Sequence, residues 1–477
     1  MKKVLSLVVV LTMLLGLMLP TGAVFANVEM KSYSVLFTES SLPATLEQDL
    51  EAMGAELVQS VPQIGFAQVR APKSSIKALK GLAGVQVVNP SIKWALPQAE
   101  RIQVTETAKE MTDGAYFWDR QWDIQRITEN GASYELGKGS HDVVIGVVDT
   151  GIDPDHADLV GNLLPGSKNF VPAGGYAGEE PYETGDINAV NDLHGHGTHV
   201  AGSIAANGGM LGVAPEIGFR AYRVFGKGSA ESAWIINAMI AAADDGVDVL
   251  SMSLGGFDLL GQTFYTDPET GEVEKLGNDV ADFTAYKRAV QYVQQKDIVI
   301  VVAAGNDGID CTNKSEVTAF LNAEYGEDGY EFRGAGFNVP AIYPNIVTVS
   351  ATGPNDILAL YSNFGAGFID IAAPGGDYRV YMEHKANGTF DEYLVQKLYY
   401  NEFCFSTGED GGYYYSVGTS MSAPKVSAVA GLLIDKYPDL PAKEIAKMLK
   451  TNGVDSVNGN EKKIFGNGHL NAVKALQ

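Results

Sequence analysis

Short apolar runs separated by helical patterns are the feature that most limits how this 477-residue chain can fold. The runs do not alternate apolar with polar residues; they are Val143–Val148, Val247–Leu254, Ile298–Ala304, Ile346–Ser350 and Phe368–Ala373. Helical patterns cover Ser232–Asp245, Asp279–Gln294 and Thr419–Lys436. Because strands that are apolar throughout are buried on both faces, this order predicts a three-layer α/β domain with a mostly parallel central sheet over residues 117–477. Ligands of such domains bind at the carboxyl ends of the strands.

A smaller unit precedes this domain, over residues 27–98. Its pattern of strand, helix, two strands, helix and strand predicts a ferredoxin-like α+β arrangement. Through residue 98 the chain has 8 basic and 6 acidic residues, whereas the remainder has 26 basic and 52 acidic residues. A slightly basic unit is electrostatically suited to docking on a strongly acidic one. Lys73, Lys77 and Lys80 share one predicted helical face, and the sequence leaves open whether they dock or only face solvent.

The first 26 residues have the pattern of a signal peptide. Lys2 and Lys3 precede the apolar run Val4–Leu19, and the small residues Val24 and Ala26 follow it. A membrane anchor is the alternative, but the apolar run is short for a span of about 20 residues. We therefore expect a secreted, extracellular protein with no stable membrane anchor in its mature form.

Net charge and cysteine content limit the function further. A net charge of −24 argues against nucleic-acid binding, because that function needs a basic face to neutralise phosphates. Cys311 and Cys404 are the two cysteines of the sequence. In an oxidising compartment they could pair, and the sequence leaves open whether they form a disulfide or remain separate thiols.

Three segments each place a reactive side chain beside glycine at the boundary of an element. Asp149 ends an apolar run, while His196 and Ser420 each open a helical segment. A serine hydroxyl becomes a nucleophile when a base takes its proton, and an imidazole base needs a third group to orient it. The amide groups at a helix start are free to stabilise a developing negative charge. These residue types, in the chain order Asp, His, Ser, fit nucleophilic catalysis.

Together the three segments resemble those of the subtilisin-like serine proteases (subtilases, peptidase family S8), and the resemblance runs from about Trp122 to the C-terminus. It implies that Asp149, His196 and Ser420 form a catalytic triad. It also implies that Asn306 contributes its side-chain amide to an oxyanion hole. The substrate-binding residues that it implies are Ser253, Leu254, Gly255, Gly228, Ser229, Ala304 and Gly305.

The resemblance also implies a subtilisin-like fold and an N-terminal propeptide, residues 27–98, that assists folding and then inhibits the active site. Self-cleavage is expected between Trp94 and Thr112. The implied enzyme is a secreted, monomeric serine endopeptidase that is made as a zymogen, acts on proteins or peptides through an acyl-enzyme and needs no cofactor for its chemistry. The block Trp118–Leu136 is also similar to proteases that trim leader peptides from bacterial lantibiotics, while a general scavenging protease is an equal alternative.

Two hypotheses from other classes stay open. Asp192, His194, His196 and His199 could bind a metal ion, which would make the protein a metallohydrolase. A catalytically silent peptide-binding module is the second. Sensitivity to a sulfonyl fluoride, rather than to a zinc chelator, favours the serine mechanism over the metal one.

The chain also departs from the family pattern. Asp158 matches a calcium ligand of the family, but the loop Asn207–Met210 is short for an ion that binds about 6–8 oxygens, so a structural calcium is in doubt. Extra segments flank the substrate segments or the serine, where they either narrow specificity or form tolerated surface loops. They lie after Gly256, where Asp267–Gly271 predicts the turn of a hairpin, after Gly308, and between Gly375 and Tyr415.

Overall fold

The structure is a computed structural model, and it describes residues 30–91, 93–95, 100–104 and 115–477. The expected signal peptide, residues 1–26, lies outside the described residues, as does most of the window expected for self-cleavage. Within the described ranges, no helix combines the length and the apolar character needed to cross a membrane.

The N-terminal unit has the predicted order of elements. These are β1 (Met30–Phe37), α1 (Leu46–Glu51), β2 (Glu56–Val61), β3 (Phe66–Pro72), α2 (Ile76–Leu79) and β4 (Val85–Pro90). The strands form an antiparallel sheet in the order β2-β3-β1-β4, which is the ferredoxin-like arrangement. One face of the sheet covers a small core with Val35 and Val69, and the opposite face places Leu36 and Phe66 in a core of the large domain. Because successive side chains of a strand point to opposite faces of the sheet, β1 and β3 contribute side chains to both cores.

Two short strands follow this unit, β5 (Lys93–Ala95) and β6 (Arg101–Gln103). Each pairs with a strand of the large domain. The strands of that domain are β7 (Val144–Asp149), β8 (Lys168–Asn169), β9 (Gly218–Arg223), β10 (Ser229–Glu231), β11 (Val249–Met252), β12 (Gly256–Thr266), β13 (Val273–Gly277), β14 (Val299–Ala303), β15 (Tyr330–Val339), β16 (Val347–Thr352), β17 (Ile371–Pro374), β18 (Cys404–Thr407), β19 (Tyr413–Ser416), β20 (Val454–Asp455) and β21 (His469–Leu470). The strand β5 pairs with β10, and β6 pairs with β19.

A nine-stranded sheet in the order β20-β21-β17-β16-β14-β11-β7-β9-β8 forms the centre of the large domain. Its strand pairs are parallel except for the antiparallel edge pair β20–β21. Along β7, Ile145 and Val147 belong to the core on one face, and Val144 and Val148 belong to the core on the other. The apolar runs do not alternate because both faces of the sheet are covered by helices, so the α/β prediction is confirmed.

The helices of the large domain complete the layers. They are α3 (Trp122–Thr128), α4 (His196–Ala205), α5 (Ser232–Asp244), α6 (Val280–Gln295), α7 (Lys314–Tyr325), α8 (Arg379–Ala386), α9 (Phe390–Val395), α10 (Thr419–Lys436), α11 (Ala442–Thr451), α12 (Lys462–Phe465) and α13 (Ala472–Leu476). The helices α4 and α10 lie on one face of the sheet, and α5 and α6 lie on the other. The three predicted helices match α5, α6 and α10 to within one residue at each end.

The extra segments fold into additions to the domain. The first forms the predicted hairpin of β12 and β13, whose turn is held by Asp267 Oδ1, the acceptor of the amides of Glu269 and Thr270. The second contributes α7 and β15, and β15 pairs with β12 along ten residue pairs. The third contributes α8, α9 and β18, and β18 joins β19 and β6 in a three-stranded sheet. All three segments are therefore ordered parts of the fold.

The two cysteines do not form a disulfide. Cys311 and Cys404 are both free and buried. They lie on different faces of the domain, because Cys311 belongs to the core around α5 and α6 whereas Cys404 begins β18 on the face of α4. Of the two alternatives that the sequence left open, the structure has the separate thiols.

Candidate active site

The three residues predicted as a triad lie where elements of the central sheet end or begin. Asp149 is the last residue of β7, His196 is the first residue of α4, and Ser420 lies in the first turn of α10. A side chain at Gly197 would come within 2.2 Å of the carbonyl oxygen of Gly151, so glycine at this position lets the start of α4 approach the end of β7. The carboxyl ends of the strands thus hold the candidate site, as the fold class predicts.

His196 and Asp149 form a short hydrogen bond. Nδ1 of His196 lies 2.6 Å from Oδ1 of Asp149, and this oxygen also accepts the amide of Thr150 at 2.8 Å. Both side chains are buried. A hydrogen bond at Nδ1 fixes the orientation of the ring and leaves Nε2 to face other partners.

The Ser420 side chain is hydrogen-bonded to the backbone of Ser253 in this structure. Its hydroxyl donates to the carbonyl oxygen of Ser253 at 3.0 Å. A hydroxyl has a single proton to donate, and in this structure that proton is directed at Ser253.

Asn306 is oriented by the residue before Ser420. Its Oδ1 accepts from both the amide and the hydroxyl of Thr419, at 2.9 Å each. The Thr419 hydroxyl in turn accepts the amide of Gly305 at 3.1 Å. The Nδ2 group of Asn306 donates no hydrogen bond to another residue that the structure describes. Sequence reasoning missed this role for Thr419, although a threonine at a helix start is a recognisable signal for local hydrogen bonding.

The predicted substrate edge at Ser229 carries a strand from the same chain. The strand β5 pairs antiparallel with β10, so that Ala95 lies opposite Ser229 and Trp94 lies opposite Ala230. The Trp94 ring is buried, and its Nε1 donates to the hydroxyl of Ser232 at 3.1 Å. An added Cβ at Gly256 would lie 3.2 Å from this ring, which shows how closely the indole packs on the start of β12.

The other predicted substrate residues lie at the same end of the sheet. Ser253, Leu254 and Gly255 follow directly after β11, and Leu254 is buried. Ala304 and Gly305 follow β14, and the carbonyl oxygen of Ala304 accepts the side-chain amides of two asparagines at 3.1 and 3.2 Å. Gly228 precedes β10, and a Cβ added there would have no atom within 4 Å among those that the structure describes.

The four residues of the metallohydrolase hypothesis do not converge on one point. The Asp192 carboxylate accepts hydrogen bonds from Thr150 Oγ1, from Thr198 Oγ1 and from the amides of residues 194, 195 and 198. These bonds lower the pKa of Asp192 against the opposing effect of burial, which is the largest single influence. His199 is fully buried against the Tyr414 ring, at a centroid distance of 4.5 Å. Among the residues that the structure describes, no three metal-ligating side chains come together.

Comparison with known proteins identifies the family of this chain. A family model described as the subtilase family matches residues 140–468. The chain belongs to the subtilase family. As a subtilase, the protein is a subtilisin-like serine protease that hydrolyses peptide bonds, and its α/β domain has the subtilisin-like fold.

Similar proteins extend the likeness beyond the family domain. This subtilase is 32% identical over 458 residues to the epidermin leader peptide-processing serine protease EpiP of Staphylococcus epidermidis, with 94% of each chain covered. It is 34% identical over 353 residues to the nisin leader peptide-processing serine protease NisP of Lactococcus lactis subsp. lactis, which covers 74% of this chain and 49% of that protein. The crystal structure of EpiP from Staphylococcus aureus has a TM-score of 0.78 at 32% identity and covers 94% of this chain and 98% of that one.

The predicted calcium ligand has protein partners in this subtilase. The Asp158 carboxylate accepts the amide of Gly209 at 2.8 Å, the amide of Met210 at 3.0 Å and the hydroxyl of Tyr413 at 2.8 Å. Burial and the nearby carboxylate raise the pKa of Tyr413, so its hydroxyl remains a donor. Three protein donors thus bind this carboxylate, one at Oδ1 and two at Oδ2, and calcium at Asp158 stays a prediction.

Proposed function

We propose that this subtilase is a serine endopeptidase in which Ser420 is the nucleophile, His196 the base and then the acid, and Asp149 the group that orients the imidazole. The observation that carries the proposal is the 2.6 Å hydrogen bond between His196 Nδ1 and Asp149 Oδ1. With Nδ1 protonated and bonded to the carboxylate, Nε2 keeps its lone pair for the serine proton.

The reaction is acyl transfer. Once the Ser420 hydroxyl has turned away from Ser253, its oxygen attacks the carbonyl carbon of the peptide while Nε2 of His196 takes the proton. The Asn306 side-chain amide and the Ser420 N–H donate to the oxygen that becomes negative. The intermediate then collapses, the C–N bond breaks, and His196 gives the proton to the leaving amine. A water molecule next gives a proton to His196 and attacks the ester, and Ser420 recovers its proton as the acid product leaves.

We propose that residues 27–98 act as a propeptide. Their sheet lies on α6, where Ser34 Oγ and Asn89 Nδ2 each donate to the buried Asp282 carboxylate at 2.6 Å. The strand β5 lies on the Ser229 edge, which a substrate would use by strand addition. A segment that holds this edge keeps other peptides out. Lys73 adds an ion pair of 2.6 Å to Glu274 on β13, which supports docking of this unit on the large domain.

We propose that the substrates are precursor peptides that carry a leader segment, and that the enzyme meets them outside the cell as a monomer without a cofactor for its chemistry. The support is the likeness to EpiP over 94% of both chains, together with the signal-peptide pattern of residues 1–26. A peptide library tests the substrate class, because cleavage spread evenly over unrelated sequences would indicate a general scavenging protease.

The central test compares the wild-type protein with Ser420→Ala, and uses Ser422→Ala in the same turn of α10 as the matched control. We expect the wild type and Ser422→Ala to shorten their own N-terminus and to cleave peptides, and Ser420→Ala to do neither. N-terminal sequencing and intact-mass measurement give both readouts. A sulfonyl fluoride should label the wild type on Ser420.

Two outcomes would overturn the proposal. Normal self-processing and peptide cleavage by Ser420→Ala would exclude this serine as the nucleophile. Peptide binding without cleavage by the folded wild type would favour the catalytically silent binding module.

A further inference from the structure

Arg101, in β6, is held by groups that lie beside the predicted catalytic histidine. One guanidinium nitrogen, Nη1, donates to the carbonyl oxygen of His194 at 2.6 Å, and Nη2 lies 2.8 Å from Nδ1 of the same histidine. The guanidinium carbon lies 4.6 Å from the centre of the Tyr414 ring. Arg101 thus makes two directed contacts with His194, which lies two residues before His196, and one stacking contact with Tyr414.

The site around Arg101 is built for a cation. Glu409 Oε1 lies 3.9 Å from Nη1, and Oε2 of this carboxylate is buried with no hydrogen-bond donor among the described residues. The carboxylate lies so close to Gly195 that an added Cβ there would meet Oε2 at 1.8 Å. A carbonyl, an imidazole lone pair, a carboxylate and a ring face are all electron-rich, and together they match the donors and the flat face of a guanidinium.

The protonation state of the His194 imidazole agrees with this arrangement. Burial and the charge of Arg101 lower the pKa of His194 to about 4. A neutral imidazole with its proton on Nε2 has a lone pair on Nδ1 that can accept from Nη2. The Tyr414 ring is fixed as well, because its hydroxyl donates to the carbonyl oxygen of Gly195 at 3.0 Å.

The position of Arg101 in the sequence indicates on which side of the cleaved bond this site lies. Arg101 lies opposite Ser416 in the pairing of β6 with β19, and Ser416 is four residues before Ser420. Ala95 lies on the Ser229 edge, six residues before Arg101. Six residues span at most about 20 Å. The described ends of this stretch therefore lie at the Ser229 edge and at β19, and Arg101 at β19 is the end that comes later in the chain.

We propose that His194, Glu409 and Tyr414 form a subsite for a basic side chain on the leaving-group side of the bond that is cut, and that Arg101 fills this subsite in the precursor. The proposal rests on the proposed protease function and adds to it a preference for arginine after the cut. A basic side chain of a substrate binds in the subsite once Arg101 has left it.

The test uses quenched fluorescent peptides that share one sequence before the cut and carry arginine or citrulline at each of the first four positions after it. Citrulline has the shape of arginine without the charge. We expect arginine at one of these positions to raise kcat/KM by about 10-fold or more over citrulline, because bonds to charged groups are the stronger ones. Glu409→Gln should reduce this preference to less than about 3-fold, and Glu444→Gln on α11, as the matched control, should retain it.

Arg101→Ala covers the case in which Arg101 keeps the subsite after maturation. A preference for arginine that appears only in Arg101→Ala supports the subsite, because the competing side chain has been removed. Equal kcat/KM values for arginine and citrulline in both the wild type and Arg101→Ala would overturn the proposal. Since the citrulline peptides report cleavage by themselves, this failure is distinct from a failure of the protease function, in which no peptide is cut.

Discussion

Ser253 and Ser420 exchange two hydrogen bonds. The Ser420 hydroxyl donates to the carbonyl oxygen of Ser253 at 3.0 Å, and the Ser253 hydroxyl donates to the carbonyl oxygen of Ser420 at 2.9 Å. The second bond has a clear cause in the sequence. In a helix the carbonyl of Ser420 accepts from the residue four positions later, which is Pro424 and has no N–H. The Ser253 hydroxyl supplies the donor that proline lacks.

Ser253→Ala should therefore weaken the start of α10. The buried carbonyl oxygen of Ser420 would lose its donor, which costs about 1–3 kcal/mol of unfolding free energy, and the serine would lose part of its positioning. We expect a lower Tm in thermal unfolding together with a lower kcat. Ser253→Thr keeps the hydroxyl and should restore both. A Tm and kcat of Ser253→Ala equal to those of the wild type would contradict this role.

Asn306→Ala should remove one donor to the oxyanion. We expect kcat to fall by about 10²–10³-fold, a magnitude that was measured in subtilisin, a member of the same family, while KM changes little. The substitution of the exposed Asn387 by alanine is the control. Because the amide and the hydroxyl of Thr419 lose their acceptor, the Tm should fall by a small amount, and kcat is therefore compared at a temperature well below the Tm of both proteins. A loss of activity that follows a loss of Tm would instead assign Asn306 a structural role.

The fold was predictable because its signals are local, whereas much of the site depends on contacts between distant residues. Val143–Val148 is apolar without alternation, and this alone indicates a strand covered on both faces. Glycines beside Asp149, His196 and Ser420 indicate tight boundaries between elements. The hydrogen bond of Ser34 to Asp282 joins residues 248 apart, and no local pattern predicts such a contact. The site of Arg101 was missed for the same reason, since its partners come from two other segments.

The boundary between the N-terminal unit and the large domain should become less stable as the pH rises. Burial raises the pKa of Glu231 from its ordinary 4.5 to about 7, and the nearby Ser32 offsets this only in part. Burial also raises the pKa of Asp282. Groups whose pKa is raised in the folded state contribute stability that is fully present below their ordinary pKa and is lost as the pH rises through the folded value. The Glu231 contribution is therefore lost between about pH 4.5 and pH 7.

This pH dependence can be measured in the Ser420→Ala background, where the chain stays uncut. We expect the Tm to fall as the pH is raised from 5 to 8, with a loss on the order of 3 kcal/mol of unfolding free energy from Glu231. Glu231→Gln should flatten the curve, and Glu444→Gln on α11 should leave it unchanged. A Tm that rises over this pH range, or equal curves for Glu231→Gln and Glu444→Gln, would show that the buried carboxyl groups do not control this boundary.

The hydrogen bonds of Asp158 predict that the loop around it is held without calcium. The amides of Gly209 and Met210 and the hydroxyl of Tyr413 already bind the carboxylate. We expect Asp158→Asn to lower the Tm by the same amount in millimolar calcium and in a chelator, because the substitution weakens hydrogen bonds from protein donors and removes no bond to an ion. Tyr413→Phe should cost about 1–3 kcal/mol of unfolding free energy, since it removes one bond to a buried charged acceptor. If calcium raises the Tm of the uncut Ser420→Ala protein and Asp158→Asn abolishes that rise, then an ion binds at this carboxylate and the donors seen here give way to it.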